Sequence, residues 1–546
     1  MSSPVPELTA TAVTPGPGEG RVRLDLVIVG LLVVAALLLR LHLMRSVAPA
    51  PLHALGPDFD DWEGVFHGAR HSWPPAWDHE WNRRYPLLPV LAVALSRASG
   101  LPMAAAAQWV CTLLGSLLPG CTYAIGLRSV GRPAALVAAG WMVLQDGLTT
   151  FHLLSSGYGL VPVFFATMLL GTICERRGRW VGRGLVVVSA ALLTLAILQG
   201  ALHALVLMVL AAMAYGVRDR RQPGRWLRLL GGLWPALLGV GLGIAALARF
   251  AVGGESPLWG ALRSILIDLN ATLLQRGHLG PPTGHKVHRL LAGTPRSEHF
   301  LATVQEQLGL PAVVLGLLLL AGVWTLVKAP SARPRAAGWL LLLLSGLCLY
   351  GLVANTEDFH SAQWFPPMAL VASAGLLGWT RVLPGRMLRA GIPVCLTVGL
   401  WAALLWLPSL HPQPRDQLYG RLSLHAGMSR QWAALSDQAV GPVSAGGTLL
   451  VDDADVWAHR GFLLGRASLA DLHRFHDGVG GVQHLEQPLV LLSGRGPSAV
   501  KQRLAGTWEY RPIDSFVDPR PLWLYLVVPH QIASSTPSTP STTATP

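Results

Sequence analysis

The stretch LDLVIVGLLVVAALLLRLHLM (24–44) decides the fold class of this chain. It is long enough to cross a bilayer, because a spanning helix needs about 20 mostly apolar residues. It ends in Arg40, His42 and Arg45 instead of a small-residue cleavage site, so we predict an uncleaved anchor and not a signal peptide. The acidic segment GPDFDDWEGVFHGAR (56–70) follows shortly afterwards, just beyond the point where the chain leaves the membrane.

The composition indicates a polytopic α-helical membrane protein. Of the 546 residues, 51% are hydrophobic and 13% are charged, whereas a soluble domain has about 25% charged residues. The net charge of +13 comes mainly from Arg in short loops between apolar runs, which is the positive-inside pattern and not a nucleic-acid surface. The five cysteines show no CxxC spacing, so neither disulfides nor cysteine metal sites are expected.

The apolar runs predict about eleven spanning helices, to within one or two. The basic loops alternate, and all of them fall on the cytoplasmic side if the N-terminus is cytoplasmic. The pair 183–199 and 201–217 could instead form one broken element. The candidate spans are 23–44, 104–127, 133–153, 160–175, 183–199, 201–217, 229–250, 311–328, 338–354, 364–380 and 388–408.

This orientation predicts a transmembrane domain over 22–408 in the inner (plasma) membrane, with outer loops at 45–103 and 251–310. The C-terminal part, 409–530, is predicted to be a small extracytoplasmic α/β domain. Residues 1–21 and 531–546 are rich in Pro, Thr and Ser and are predicted to be disordered tails.

Short apolar runs and amphipathic runs alternate in the C-terminal part. Strands are predicted at TLLVDDADVW (448–457), PLVLLSG (488–494) and PLWLYLVVP (521–529). Helices are predicted between them, at ASLADLHRFHDG (467–478) and SAVKQRLAG (498–506).

The first outer loop holds the first candidates for chemistry. Asp60 and Asp61 lie beside Glu63 in a chain with few charges, and carboxylates near hydrocarbon are costly unless they have a partner or a task. On residue types alone, an interfacial hairpin with solvated charges and Trp anchors is an equally good interpretation.

Three successive segments carry a resemblance to a known family. FDDWEGVFHGAR (59–70) is followed by RRYPLLPVLAVALSRASG (83–100) and YAIGLRSVGRPAALVAAGWMVL (123–144). This layout resembles the GT-C superfamily of polyprenyl-phosphate-sugar-dependent glycosyltransferases, such as the aminoarabinose transferases and the protein O-mannosyltransferases. SAALLTLAILQGALHALVLMVLAAMAYGVRDRR (189–221) and HSAQWFPPMALVASAGL (360–376) resemble its mid-chain and late spans. The resemblance covers roughly residues 22–408 and implies a GT-C-like fold.

The resemblance implies a catalytic role for an acidic residue of the first outer loop, as the base or as the group that orients the acceptor. Asp60 or Asp61 occupies that position. Asp61 has Glu63 nearby, whereas Asp60 fits the distance to the Ala-Arg ending slightly better. A lipid phosphate is already a good leaving group, so the reaction needs mainly a base for the acceptor hydroxyl. Attack opposite the phosphate would invert the anomeric centre.

Other polar residues of the outer loops are candidates for substrate binding. Arg can hold a phosphate bidentately, although a basic surface facing anionic head groups is an equal alternative for the second outer loop. The candidates are Glu63, Arg83, Arg84, Tyr85, Lys286, Arg289 and His360.

The sequence departs from the family pattern at two places. The loop HLLSSGYGLVP (152–162) has no acidic residue, and Asp146 lies within the preceding span. Gln363 and Trp364 stand where relatives often have Arg-Tyr, with His360 as a substitute cation. The missing acid argues against a metal-dependent mechanism, so no metal site and no certain cofactor is assigned, and a divalent cation stays an alternative.

The predicted function is transfer of a sugar from a polyprenyl-phosphate-linked donor to an extracytoplasmic lipid, glycan or protein acceptor. The expected partners are that donor, membrane lipid and the acceptor, and not nucleic acid. The alternatives are a transporter or flippase, which predicts internal repeats that the sequence does not show, and a non-catalytic GT-C relative.

Overall fold

The computed structural model describes most of the apolar segments and five strands. The described helical part comprises residues 19–44, 87–101, 103–145, 152, 157–175, 180–197, 200–216, 225–250, 310–328, 332–354, 363–378, 392 and 394–402. Most of the first predicted outer loop and nearly all of the second lie outside the described residues.

The helices follow the predicted apolar runs closely. In chain order they are α1 Glu19–Met44, α2 Leu87–Ser99, α3 Met103–Gly115, α4 Leu118–Ser129, α5 Arg132–Leu144, α6 Val161–Glu175, α7 Trp180–Ala196, α8 Gly200–Gly216, α9 Arg225–Phe250, α10 Ala312–Val327, α11 Ala332–Ala354 and α12 Phe365–Gly378. A 3-10 turn, Gly157–Gly159, precedes α6.

Two of the described helical segments are long and apolar enough to cross a membrane by length and composition. They are Val22–His42 in α1 and Ala105–Ser129, which joins α3 and α4. In the other described helices the apolar stretches are shorter, so the number of spans stays a prediction. The segment 183–217 forms two helices, α7 and α8, and the number of times it crosses the membrane stays a prediction.

Local sequence explains where several helices begin and end. Pro119 lies in the first turn of α4. The N–H groups of a first turn have no acceptor within the helix, so a proline there costs no hydrogen bond. Gly100 ends α2 with a φ of 72°, a left-handed conformation that glycine adopts without strain.

α1 lies at the edge of the bundle and shows most of its apolar side chains outward. Leu32 and Ala36 are buried in a small cluster with Tyr123 of α4 and Ala139 of α5. Other leucines of α1 are largely exposed, among them Leu31 at 64%. A helix with this much exposed apolar surface suits a hydrocarbon environment and not water.

Polar contacts hold the first half of α1 to α4 and α5. Arg132, the first residue of α5, forms two hydrogen bonds of 2.8 Å with the Asp25 carboxylate, one from Nε and one from Nη2. Tyr123 donates its hydroxyl to Asp25 Oδ1 at 2.7 Å. This bidentate pair fixes both the depth and the rotation of α1 against its neighbours.

Glycines allow several helix pairs to approach closely. In the pair α10 and α12, a Cβ on Gly375 would overlap the carbonyl oxygen of Leu318. In the pair α6 and α7, a Cβ on Gly182 would overlap the backbone of Glu175. Small residues at such contacts are the usual way in which membrane helices pack, because lipid provides no hydrophobic force between them.

The five strands form one mixed sheet. They are β1 Thr448–Val451, β2 Asp471–Arg474, β3 Leu489–Ser493, β4 Trp508–Phe516 and β5 Leu522–Pro529. Their order is β2-β1-β3-β5-β4. β1 is parallel to β2 and β3, and β5 is antiparallel to β3 and β4.

The sheet confirms part of the C-terminal prediction and corrects another part. β1, β3 and β5 lie within the three predicted strands. The helix predicted at 467–478 is wrong at Asp471–Arg474, which pairs with Thr448–Val451 as β2. A four-residue segment carries little periodicity, so pairing with a neighbouring strand overrides the local preference. The predicted helix at 498–506 lies outside the described residues, and the extracytoplasmic location stays a prediction.

We predict that Gly375→Ala destabilises the bundle by about 1–3 kcal/mol, because the added methyl has no room against α10. Gly316→Ala in α10 is the matched control, since nothing lies within 4 Å of its Cβ position. The control should be neutral or stabilising by up to about 1 kcal/mol. Reversible unfolding by denaturing detergent measures both, and equal effects would contradict the packing.

Candidate functional site

The sequence-predicted site residues lie outside the described part of the chain. They are Asp60, Asp61, Glu63, Arg83, Arg84, Tyr85, Lys286, Arg289 and His360. Asp146 also lies outside it.

A buried arginine near the end of α1 is the most unusual polar group among the described residues. Arg40 is 0% exposed. Its Nη1 donates to the carbonyl of Ala36 at 3.1 Å, and its Nη2 lies 3.0 Å from His152 Nδ1. Its Nε has no hydrogen-bond partner. A cation within a membrane-spanning helix is costly, so such residues commonly serve a function.

His152 accepts the hydrogen bond from the Arg40 guanidinium and is itself fully buried. Its carbonyl accepts a hydrogen bond of 3.2 Å from the Thr112 hydroxyl of α3. Gly115, also on α3, makes room for the ring, because a Cβ there would overlap the imidazole. α3 therefore fixes both the backbone and the ring of His152.

The contact with Arg40 determines the protonation state of the imidazole. Arg40 Nη2 can only donate, so His152 Nδ1 must accept and carries no proton. In the neutral ring the single proton then lies on Nε2.

Gln108 is a further buried polar residue of α3, one helical turn before Thr112 and on the same face of that helix. Its Nε2 has no hydrogen-bond partner among the described residues. The part of the chain that the structure describes supplies no carboxylate to Arg40, whereas Arg132 and Arg183 each pair with one.

The late segment that departs from the family pattern forms a second buried polar contact. Gln363 Nε2 lies 3.3 Å from His203 Nε2 of α8. Trp364 packs edge-on against Phe165 of α6, with ring centroids 4.7 Å apart, and against His203 at 5.7 Å. These contacts join the beginnings of α6, α8 and α12. His203 is thus a partner of Gln363 that sequence reasoning did not identify.

No group of three or more His, Cys, Asp or Glu residues in the described segments is arranged to hold a metal ion. The HxxH pair at 285–288 lies outside those segments.

Sequence reasoning noticed Arg40 only as the polar end of the first apolar run and missed its role as a buried group. The available signal was a charged residue inside a span that continues through Leu41 and Leu43. Its partner, His152, lies far away in sequence. Nothing in the local pattern of either residue points to the other.

Comparison with known proteins identifies the fold. No protein-family model matches the chain, and no curated protein matches it. Among solved structures, it is similar to ArnT from Cupriavidus metallidurans bound to undecaprenyl phosphate, with a TM-score of 0.58 and 12% identity over 93% of this chain and 98% of that chain. The apo state of ArnT gives a TM-score of 0.57.

The chain has the GT-C fold. The oligosaccharyltransferase of Archaeoglobus fulgidus is also similar, with a TM-score of 0.52 and 12% identity over 82% of this chain and 64% of that chain. Both proteins are GT-C glycosyltransferases embedded in membranes. The GT-C fold agrees with the resemblance seen in the sequence.

We predict that His152 is a neutral imidazole with its proton on Nε2. Solid-state ¹⁵N NMR of histidine-labelled protein in lipid distinguishes the two ring nitrogens, and His152→Gln assigns the signal. The expected spectrum has an unprotonated Nδ1 and a protonated Nε2, because Arg40 already donates to Nδ1. A proton on Nδ1, in a neutral or a charged ring, would rule out this geometry.

Proposed function

We propose that this chain is an integral-membrane glycosyltransferase that moves a sugar from a polyprenyl-phosphate-linked donor to an extracytoplasmic acceptor. The observation that supports this best is the likeness to ArnT, which extends over nearly the full length of both chains and includes a structure with undecaprenyl phosphate bound. At 12% identity the likeness concerns the fold, so donor and acceptor are assigned here only as chemical classes.

The proposed reaction is a single displacement at the anomeric carbon. The acceptor hydroxyl attacks this carbon as the bond from the carbon to the phosphate oxygen breaks, and the configuration inverts. Asp60 or Asp61 takes the hydroxyl proton. The bonding electrons leave with the polyprenyl phosphate, whose charge needs cationic or N–H donors. Arg83, Arg84, Lys286 and Arg289 are proposed for that role, and Glu63, Tyr85 and His360 are proposed to contact substrate.

The proposed orientation has the beginning of α1 at the cytoplasmic face. Asp25 lies there in contact with Arg132, which belongs to one of the basic loops. The apolar stretch Val22–His42 has 21 residues, a length of about 30 Å that matches the hydrocarbon thickness. Arg40 then lies close to the outer face, and the chain enters the first outer loop immediately after α1.

Asp60→Asn together with Asp61→Asn should abolish sugar transfer. Loss of a general base slows a reaction by about 10²–10⁴-fold. The assay uses the full chain in proteoliposomes, with a polyprenyl-phosphate-sugar and an envelope lipid extract as acceptor. The two single variants identify which carboxylate is the base.

Asp58→Asn in the same loop is the matched control and should retain transfer. Undiminished transfer by a well-folded double variant would refute the catalytic assignment. Uptake of a polar solute by the same vesicles, without transfer, would instead favour a transporter. If the wild type transfers no sugar from any polyprenyl-phosphate donor tested, the result would favour a non-catalytic GT-C relative.

Reporter fusions test the proposed orientation. Alkaline phosphatase folds only outside the cytoplasm, so a fusion after residue 530 should be active and a fusion after Lys328 should be inactive. Green fluorescent protein should give the opposite pattern at the same two positions. Phosphatase activity of the fusion after Lys328 would contradict a cytoplasmic end of α10 and with it the proposed orientation of the whole bundle.

A further inference from the structure

We propose that Arg40 is a positioning residue for the sugar transfer, and that it acts through its contact with His152. This contact fixes the end of α1 from which the first outer loop, with Asp60 and Asp61, begins. The inference rests on the proposed function for the reaction itself. It gives Arg40 no contact with the substrate and no part in the proton transfer.

The contact between Arg40 and His152 is specific and costly. The guanidinium is fully buried, and its Nη2 lies 3.0 Å from Nδ1 of a histidine 112 residues away in the chain. A buried charge is commonly less stabilising than an apolar side chain of similar size, and its best-attested use is to fix the register between helices. An arginine two residues before the end of the apolar stretch Val22–His42 therefore indicates that α1 must be held at one level there.

Apolar packing holds this end of α1 only weakly. Leu38, one turn from the end, is 61% exposed, and the buried residue of that turn is the small Ala36. Beyond Arg40, the Met44 sulfur lies 3.9 Å from the Thr112 hydroxyl oxygen of α3, which is a weak contact because a thioether is a poor acceptor. The directional hydrogen bond from Arg40 is thus the strongest described contact at this end of the helix.

The partner of Arg40 is itself held firmly. The Thr112 hydroxyl donates to the His152 carbonyl, and Gly115 provides the space for the imidazole ring. The chain then leads into the turn Gly157–Gly159, which packs against α3 and against α6. Arg40 therefore ties α1 to a segment that is fixed on two other helices, and a movement of α1 at this end requires that the contact break.

Both ends of the segment 45–86, which contains Asp60 and Asp61, are attached to α3. At its far end, Leu88 of α2 is buried in the same hydrophobic cluster as Cys111 of α3, and α2 packs against α3. At its near end, the Arg40 contact keeps α1 beside α3. A segment with two fixed ends has fewer accessible arrangements than one with a free end. Loss of the Arg40 contact should release one of the two ends.

The proposed reaction is sensitive to such a release. A general base must lie within hydrogen-bond reach of the proton that it accepts. A misplacement of about 1 Å, even when caused by a residue far from the chemistry, can cost about 100-fold in rate. A residue that fixes where the first outer loop begins therefore contributes to the rate without contacting the substrate.

Sugar transfer by the full chain in proteoliposomes tests the role of Arg40. Arg40→Met should lower kcat by about 10- to 100-fold and leave the KM for the polyprenyl-phosphate-sugar unchanged, so that kcat and kcat/KM fall together. Arg40→Lys keeps a donor for His152 and should recover much of the loss. Arg183→Gln is the matched control, because it removes an arginine contact with Glu175 at the opposite end of α6, and it should keep the wild-type kcat.

A double-mutant cycle tests whether the two residues act as one contact. His152→Phe removes the acceptor and should lower kcat as Arg40→Met does, whereas His152→Gln keeps an acceptor and should have a smaller effect. The double variant with Arg40→Met and His152→Phe should be no slower than the slower single variant, because both changes remove the same interaction. Effects that multiply in the double variant would overturn the proposal.

Two other outcomes would also overturn it. A wild-type kcat per folded molecule of Arg40→Met, together with a lower thermal midpoint, would show that Arg40 only stabilises the bundle. A higher KM for the donor with an unchanged kcat would show that Arg40 contributes to donor binding and not to positioning. If Arg40→Met does not fold, Arg40→Lys and His152→Gln carry the same comparison, since both weaken the contact without removing it.

Hydrogen exchange without substrate separates this inference from the proposed function. The amides at the end of α1, before Met44, should exchange faster in Arg40→Met than in the wild type, because a released helix end opens more often. Arg183→Gln should leave them unchanged. Faster exchange in a chain that transfers no sugar would support the anchor and refute the proposed function. Unchanged exchange in Arg40→Met would overturn the anchor, whatever the wild type transfers.

Discussion

The placement of α1 is the constraint on which the rest of the site depends. This helix exposes most of its apolar side chains, so packing alone would let it slide or rotate along the bundle. Asp25 with Arg132 and Tyr123 fixes it near one end, and Arg40 with His152 fixes it near the other. The two contacts set the depth at which the chain leaves the membrane, and therefore where the first outer loop begins.

The two contacts differ in their electrostatics. The contact near the beginning of α1 is a complete ion pair, with both charges neutralised and partly solvated. The contact near its end pairs a cation with a neutral ring, and Arg40 Nε has no hydrogen-bond partner among the described residues.

The sequence predicted the fold class, the order of the spans and three of the strands, because these depend on hydrophobic runs that are visible locally. It did not predict β2, since Asp471–Arg474 becomes a strand only through pairing with β1. It also missed the buried contact between Arg40 and His152, which lie 112 residues apart in the sequence. Each of the two looks ordinary in its own segment. Asp60 and Asp61 could be proposed as catalytic residues from the sequence alone, because they are adjacent in one loop.

The chain shares the GT-C fold with the solved structures and differs from the family pattern in the polar residues before α12. Where relatives often have Arg-Tyr, this chain has Gln363 and Trp364, which contact His203 and Phe165 in the structure. These contacts join the beginnings of α6, α8 and α12.

The most direct test of this account is a cryo-electron microscopy map of the full chain in a nanodisc containing undecaprenyl phosphate. The account predicts phosphate density at the outer end of α1, beside the first outer loop that carries Asp60 and Asp61. Phosphate density at the opposite end of the bundle, beside Asp25 and Arg132, would contradict it.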